Sequence, residues 1–356
     1  MNILIIIPGL KNYLPYAQVY EDFFIKNGHT VDIIEWDRLK LDNRNINSLL
    51  FTKYSPFTSN FYVRLFHYLL FSSFCKSKID KSDYQLVITC TIALSIFLSP
   101  FLSRKKIPYF VDIRDHTPMV KYFKRLLSFT LSNSEMNIIS SNGFKKWLPT
   151  IQSEYHILNN ISNNDLDCPC SPIIDINNVR ILTIGYLRNL FANKYIMQNL
   201  GNRDKYRLFF VGEGPSRSSL IDYAKKQNLE NVSFFGHYLK HQEDGFYQQA
   251  TFVNVFMEDD EASNTLLSNR FYKAIQNYRP MIARKYSFQS SIIKEFDLGV
   301  SVSKDDSLEV EILNYLSSFD AKVFVENCNK CLLQFKQQNI ITHKKIFEVV
   351  NNISDC

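Results

Sequence analysis

Short, uninterrupted apolar runs alternate with longer helix-like segments along this chain, and that alternation restricts the fold more than any other feature. Asn2 to Pro8 (NILIIIP) is almost wholly apolar, as a strand is when both of its faces are covered by helices in a parallel sheet. A helix through Tyr16 to Asn27 follows, closed by Gly28, a natural residue to step past a helix end. Thr30 to Trp36, Leu86 to Cys90, Tyr109 to Asp112, Met136 to Ser140 and Tyr155 to Leu158 read as further strands. The pattern lapses from Asn163 to Asn178, a stretch rich in Asn, Asp, Pro and Ser without periodicity. It restarts at Arg180 to Ile184 and continues through Arg207–Val211, Val232–Phe235, Phe252–Phe256, Pro280–Ala283 and Gly299–Val302. This predicts an α/β chain of two doubly wound, Rossmann-like domains, residues 1–162 and 179–320, joined by a linker over 163–178. A helical tail over 321–356 carries Val323, Phe324, Cys328, Cys331, Leu332 and Phe335 as an apolar stripe. Ligands of such sheets lie beyond the strand carboxyl ends, so the loops after the strands are where chemistry is expected.

A length of 356 residues exceeds one comfortable core, which agrees with two domains. With 46% hydrophobic and 21% charged residues the chain is globular rather than disordered. Its net charge of +6 favours anionic partners but is too small and scattered for a nucleic-acid binder. Seven dispersed cysteines, and an opening MNILIIIPGL without a basic leader, point to a reducing cytoplasm. Cys328 and Cys331 form a lone CxxC, and Cys168-Pro-Cys170 has no matching pair, so no zinc site is expected. Leu86 to Leu102 is apolar enough to be tested as a membrane span. It is shorter than the roughly 20 residues a spanning helix needs, and Thr89, Thr91, Ser95, Ser99 and Pro100 interrupt it. A buried strand, a turn and a buried helix is the better parse.

Several segments carry a resemblance when taken in order. They are ILTIGYLRNLFANK from Ile181, Val211-Gly212-Glu213-Gly214-Pro215, Val232-Ser233-Phe234-Phe235-Gly236, Tyr247 to Thr251, and SNRFYKAIQNYRPMIA from Ser268. In the first half, VDIRDHTP from Val111, ISSNGFKKWL from Ile139 and HILNNIS from His156 continue the series. Together they resemble the family 4 glycosyltransferases of the GT-B fold, in particular bacterial members that build surface polysaccharides such as capsule and O-antigen. The resemblance spans nearly the whole chain. It implies two Rossmann-like domains facing across a cleft, the C-terminal one holding a nucleotide-sugar and the C-terminal helix packing near the domain junction.

It also assigns candidate residues. Gly9 lies where a glycine loop approaches the donor phosphates; a simple turn glycine is the alternative. Arg188 and Lys194 stand where an Arg and a Lys grip the diphosphate, since fixed cations stabilise the charge that develops on the leaving group. Glu213 falls near the nucleotide base, while Gly212 and Gly214 suit the turn itself. Asn264 is placed towards the sugar, and Ser268 and Asn269 open a helix whose free N–H groups suit a phosphate. At Lys273 many relatives have a Glu that accepts from ribose hydroxyls, with a second Glu eight positions earlier, where this chain has Thr265. Lysine donates only. Glu258, Asp259, Asp260 and Glu261 are the nearby carboxylates that could substitute, the alternative being a merely solvated acidic loop. Asp115 and His116 follow a strand of the first domain, where either suits the acceptor hydroxyl's proton; Asp112 reads as structural. A loop-fixing hydrogen-bond cluster is the alternative.

The expected activity is that of a hexosyl or related transferase. It moves a sugar from a nucleotide diphosphate donor to a growing lipid-linked or oligosaccharide acceptor with retention, needing no cofactor and no metal. Phe61–Phe74 and Lys121–Phe129 mix aromatics with Lys and Arg, which suits an anionic membrane surface or, equally, ordinary core-facing helices. The location implied is the inner face of the plasma membrane, without nucleic-acid partners. Two other readings stay open: a GT-B nucleotide-sugar epimerase or hydrolase, and a non-catalytic scaffold that binds a sugar nucleotide.

Overall fold

The computed structural model describes residues 1–40, 49–56, 59–161, 172 and 174–354. It contains two compact units, Met1–Asn159 with Gln338–Cys356, and Asn160–Gln337. The first unit begins β1 (Asn2–Ile6), α1 (Pro15–Lys26), β2 (Thr30–Asp37), β3 (Leu50–Thr52) and α2 (Phe61–Ile79). It continues with β4 (Leu86–Cys90), α3 (Ile92–Lys105), β5 (Tyr109–Ile113), α4 (Met119–Tyr122), α5 (Lys124–Ser132), β6 (Met136–Ile139) and β7 (Tyr155–Ile157). The second unit runs β8 (Val179–Ile184), α6 (Leu190–Leu200), β9 (Tyr206–Val211), α7 (Arg217–Lys226), β10 (Val232–Phe235), α8 (Glu243–Gln249) and β11 (Phe252–Asn254). Then come α9 (Glu261–Thr265), α10 (Asn269–Gln276), β12 (Met281–Arg284), α11 (Phe288–Glu295), β13 (Gly299–Val302) and α12 (Leu308–Ser317). The closing helix α13 (Ala321–Ser354) gives residues 321–337 to the second unit and 338–354 to the first.

The two sheets repeat one topology. Their orders are β3-β2-β1-β4-β5-β6-β7 and β10-β9-β8-β11-β12-β13, with every registered pair parallel. Each is the doubly wound order in which the chain starts centrally, moves to one edge and returns to build the other side. The direction reverses between β1 and β4 in the first sheet and between β8 and β11 in the second. Those switch points open the crevices in which such sheets take ligands.

Packing explains the uninterrupted apolar runs. Successive strand residues point to opposite faces, and here both faces are covered. Ile181 of β8 packs with Ile196, Met197 and Leu200 of α6 on one face. Leu182 and Ile184 join Phe271 and Ile275 of α10, with Phe324 and Cys328 of α13, on the other. In the first unit Ile3 and Ile5 of β1 meet Tyr20 and Phe24 of α1 and Ile346 and Val350 of α13. On α13 the buried stripe is Phe324, Cys328, Cys331 and Phe335, spaced as one helical face, whereas Val323 turns outward.

The doubly wound α/β architecture follows the sequence expectation, as does the parse of the apolar stretch from Leu86, with two local differences elsewhere. The apolar stretch from Leu86 resolves into β4, a turn at Thr91 and α3, and no helix among the described residues is long and apolar enough to cross a membrane. The expected strand over Phe252–Phe256 stops at Asn254, because the Asn254 Oδ1 accepts from the Phe256 N–H at 3.0 Å and turns the chain. Strand β3, a three-residue edge strand pairing Glu35–Asp37, has no sequence signal of its own. Most of the expected 163–178 linker lies outside the described residues.

The imidazoles of the first unit give it a distinct acid response. Burial lowers the pKa of His343, whose ring stacks on Phe23 at 5.1 Å. Burial also lowers His156 and, with the N-terminal amine, His29; Lys345 and Lys145 push His156 the same way, against Glu154. A histidine depressed in the folded state binds its proton more readily when unfolded. Its contribution is complete above its unfolded pKa of about 6.5 and is lost as pH falls below that value. The thermal stability of the first unit is expected to fall from about pH 6.5 downward, and His343→Gln should flatten that dependence. A profile flat between pH 7 and 5 would contradict it.

Candidate functional site

At the carboxyl edge of the first sheet, the β1 loop carries Gly9 into a short 3-10 turn over Lys11–Tyr13. The turn is fixed by the Lys11 N–H donating to Glu35 Oε2 at 2.8 Å and by the Lys11–Glu21 ion pair. A side chain at Gly9 would meet Leu14 Cδ1 at 3.1 Å. Across the switch point stands Thr91, with φ +125°. A β-branched residue there is strained by about 1–3 kcal/mol, and such strain concentrates at functional sites.

Past β5 the chain alternates buried and exposed charge. Asp112 is fully buried, and its Oδ2 accepts from Arg114 Nε at 2.8 Å and faces Nη2 at 2.7 Å. Arg114 Nη1 donates to the Leu158 carbonyl at 3.2 Å, and the guanidinium lies 4.9 Å from the Tyr16 ring. Burial alone would lower the Arg114 pKa, but Asp112, with Tyr20 and Cys90, raises it above its ordinary value. Burial, with Asp112 contributing, likewise keeps the Tyr16 and Tyr20 hydroxyls protonated. This pair anchors the loop that presents Asp115 at the surface and half-buries His116, whose ring meets Trp147 edge-on at 5.0 Å. Asp112 is thus structural, and the groups left at the edge are Asp115 and His116.

In the second unit the loops after β8 and β9 are bound together along their backbones. Gly185 N–H donates to Val211 O at 2.9 Å, Leu187 N–H to Glu213 O at 2.9 Å, and Ser216 N–H to Leu187 O at 3.0 Å. Ser216 Oγ also donates to Arg188 O at 2.7 Å. A side chain at Gly212 (φ +118°) would reach Gly185 O at 2.2 Å, so this turn requires its glycine for both conformation and room. Gly212→Ala is expected to cost about 1–3 kcal/mol, read as a lowered thermal midpoint. The turn leaves Glu213 solvated, in a loose surface pair with Arg217 at 3.7 Å.

Arg188 projects to solvent from this braced loop. Lys194, one turn into α6, instead lies over the Tyr223 ring at 5.1 Å, against α7. Two residues complete the switch point: Glu258, expected from the sequence as a stand-in for the absent ribose carboxylates, and Arg270, which the sequence left unassigned. Glu258, beyond β11, accepts at Oε1 from the Phe191 and Ala192 N–H groups at 3.0 and 3.1 Å, capping the first turn of α6. Arg270, on α10, donates from Nη1 to the Asn254 carbonyl at 2.9 Å. Burial lowers the Arg270 pKa; Tyr247 opposes this, and the nearby positive charge of Arg188 adds to it. No carboxylate pairs with either guanidinium among the described residues. Arg270 was legible only as a basic residue just inside a capped helix.

The remaining candidates line the α9–α10 side. Asn264 Nδ2 donates to Asp259 Oδ1 at 3.0 Å, and its buried Oδ1 has no partner among the described residues. Ser268 caps α10, accepting from the Phe271 N–H at 3.3 Å and donating to Gln289 Oε1 at 2.6 Å. Gln289 in turn donates to the Val255 carbonyl at 3.1 Å, tying that cap to the strand end. Asn269 is exposed, and its Oδ1 accepts from Asn160 at 3.4 Å. Lys273 pairs with Asp244 of α8 at 3.3 Å, so a carboxylate stands beside the lysine, carried by another helix. The acidic loop is not simply solvated: beside Glu258, Asp259 pairs with Arg284 at 3.2 Å and Asp260 caps α9, accepting from Ser263 N–H at 2.8 Å.

No protein-family model matches the chain, and no curated protein matches it by sequence. Solved structures do match. Sucrose-phosphate synthase from Thermosynechococcus elongatus superposes with a TM-score of 0.73 at 14% identity, covering 99% of this chain and 100% of that one. HepE of Anabaena, in complex with UDP, gives 0.68 at 11% identity, with 99% of each chain covered. The lipopolysaccharide outer core galactosyltransferase WaaB gives 0.60 at 13%, covering 94% of this chain and 99% of that one. At these identities the likeness establishes the fold, which is the GT-B fold of these glycosyltransferases.

Proposed function

We propose that this chain is a glycosyltransferase that moves a hexosyl or related group from a nucleoside diphosphate sugar to a growing, lipid-linked bacterial surface glycan, with retention, as a family 4 enzyme. The observation that carries the reading is the pair of guanidiniums, Arg188 and Arg270, at the β8/β11 switch point without a carboxylate between them. An anion relieves their mutual repulsion, and a diphosphate presents the oxygens their N–H groups can fork around. As the bond from the anomeric carbon to the diphosphate breaks, both electrons leave with the phosphate oxygen, and fixed cations stabilise the charge formed there. Asn264 Oδ1 is an acceptor available to a sugar hydroxyl, and Asp244 beside Lys273 is an acceptor available to ribose. Asp115 or His116 takes the proton of the acceptor hydroxyl. The neighbours that share the fold with bound UDP support the donor class.

The deciding experiment is titration of the protein with UDP, GDP and their sugars, followed by NMR of the linkage formed on a glycan acceptor. A rise in thermal midpoint with one nucleotide and a retained linkage are expected. No nucleotide response would overturn the reading, and an inverted linkage would remove retention. Donor consumed without acceptor would identify an epimerase or hydrolase, and tight binding without turnover a scaffold.

A further inference from the structure

The carboxyl edge of the first sheet carries an apolar surface that the donor chemistry does not use. Helix α2 ends at Ile79 and leads into β4, so it runs back along the sheet and its first turns lie where the strands end. There Tyr62, Val63, Phe66 and Leu69 fall on one helical face and point to solvent, Tyr62 with 75% and Phe66 with 56% of their surface exposed. Helix α4, which follows the Asp115–His116 loop, adds Tyr122 at 73% exposure, and the Phe61 and Tyr122 rings meet at 5.4 Å, joining the helices into one surface. Scattered exposed apolar residues are ordinary; a contiguous aromatic patch is not.

Charge identifies what covers it. Around that patch the ionisable positions of α2, α4 and α5 include Arg64, Lys121, Lys124 and Arg125, and no Asp or Glu occurs in any of the three helices. A protein partner with an apolar face gives no reason for excluding carboxylates along three helices. An anionic bilayer does: aromatic and aliphatic side chains enter the headgroup boundary while Lys and Arg lie against lipid phosphates.

We propose that α2, α4 and α5 form a docking surface for an anionic phospholipid bilayer, with Tyr62, Phe66, Leu69 and Tyr122 inserted and Lys121, Lys124 and Arg125 against the headgroups. It rests on and deepens the lipid-linked acceptor of the proposed function, and stands on observations separate from the nucleotide site. It places the bilayer beside the strand edge that carries Asp115 and His116, where a lipid-linked acceptor has the shortest path to them.

The test is sedimentation of the full chain with vesicles of phosphatidylcholine alone, or with about a third phosphatidylglycerol. Binding to the anionic vesicles only, weakened by salt, is expected. Charge reversal (K121E/K124E/R125E) and removal of the aromatic edge (Y62S/F66S) should each weaken it about tenfold, leaving the thermal midpoint and nucleotide binding unchanged. The single variant K124E gives the same comparison if the triple reversal unfolds. Absence of binding, equal binding to neutral vesicles, or indifference to both variant sets would overturn the proposal. So would a dimer in solution that both sets dissociate, since the face would then belong to a second copy. Failure of the wild-type chain to bind any nucleotide would instead remove the transferase reading and leave the vesicle result standing.

Discussion

Replacing Arg188 by alanine is expected to lower kcat/KM for sugar transfer by about two to three orders of magnitude while leaving the thermal midpoint unchanged. The two halves of that expectation come from different atoms of one residue. The backbone carbonyl is structural, accepting from Ser216 Oγ at 2.7 Å, and alanine keeps it. The guanidinium is exposed and has no side-chain partner among the described residues, so removing it breaks no folded contact. Arg188→Lys should recover only part of the loss, because a point charge replaces a planar fork. Arg270→Met should lower activity similarly, but with some loss of stability, since its Nη1 bond to the Asn254 carbonyl disappears. Steady-state kinetics beside thermal melts separate the cases. An unchanged rate for Arg188→Ala would remove it from the phosphate site.

The largest effect on stability is expected at the buried pair of the first unit. Arg114→Ala leaves the fully buried Asp112 carboxylate without its counter-charge. Breaking such a pair from one side costs about 3–5 kcal/mol. In a unit of this size that lowers the melting midpoint by roughly 10 °C. Asp112→Asn should be comparably harmful, because Arg114 then keeps its charge without an anion. The double change Asp112→Leu with Arg114→Met removes both charges and should lie far closer to wild type than either single variant adds up to. A double variant as unstable as the sum would show that the Tyr16 and Leu158 contacts of Arg114, rather than its ion pair, hold the loop.

Much of the fold was legible because continuous apolar runs bounded by turn residues mark strands buried on both faces. Leu86–Cys90, Val232–Phe235 and Gly299–Val302 coincide with the observed strands, and the others differ by one or two residues at an end. Strand β3 was not legible, since three half-buried edge residues make no periodic pattern. The candidate site divides along the same physical line. Gly212 and Ser268 have roles set by their immediate neighbours, a turn and a helix cap, and these show in a linear sequence. The partners of Glu258, Arg270 and Lys273 do not. Glu258 meets α6 across 66 and 67 residues, and Lys273 meets Asp244 across 29, distances over which only the folded sheet order brings groups together. The same holds for Lys194, whose position in the sequence suits a phosphate but whose turn of helix faces α7.

The Glu258 cap has a consequence for how such a site changes over generations. In many nucleotide folds the backbone N–H groups at a helix start carry the anion, and no codon encodes a backbone. Here an internal carboxylate already fills that position on α6. On the proposed function, anion recognition is left to two side chains, Arg188 and Arg270, each a single codon change from another residue. A lineage built this way can weaken, strengthen or re-aim its hold on a donor by point substitution without disturbing the sheet beneath.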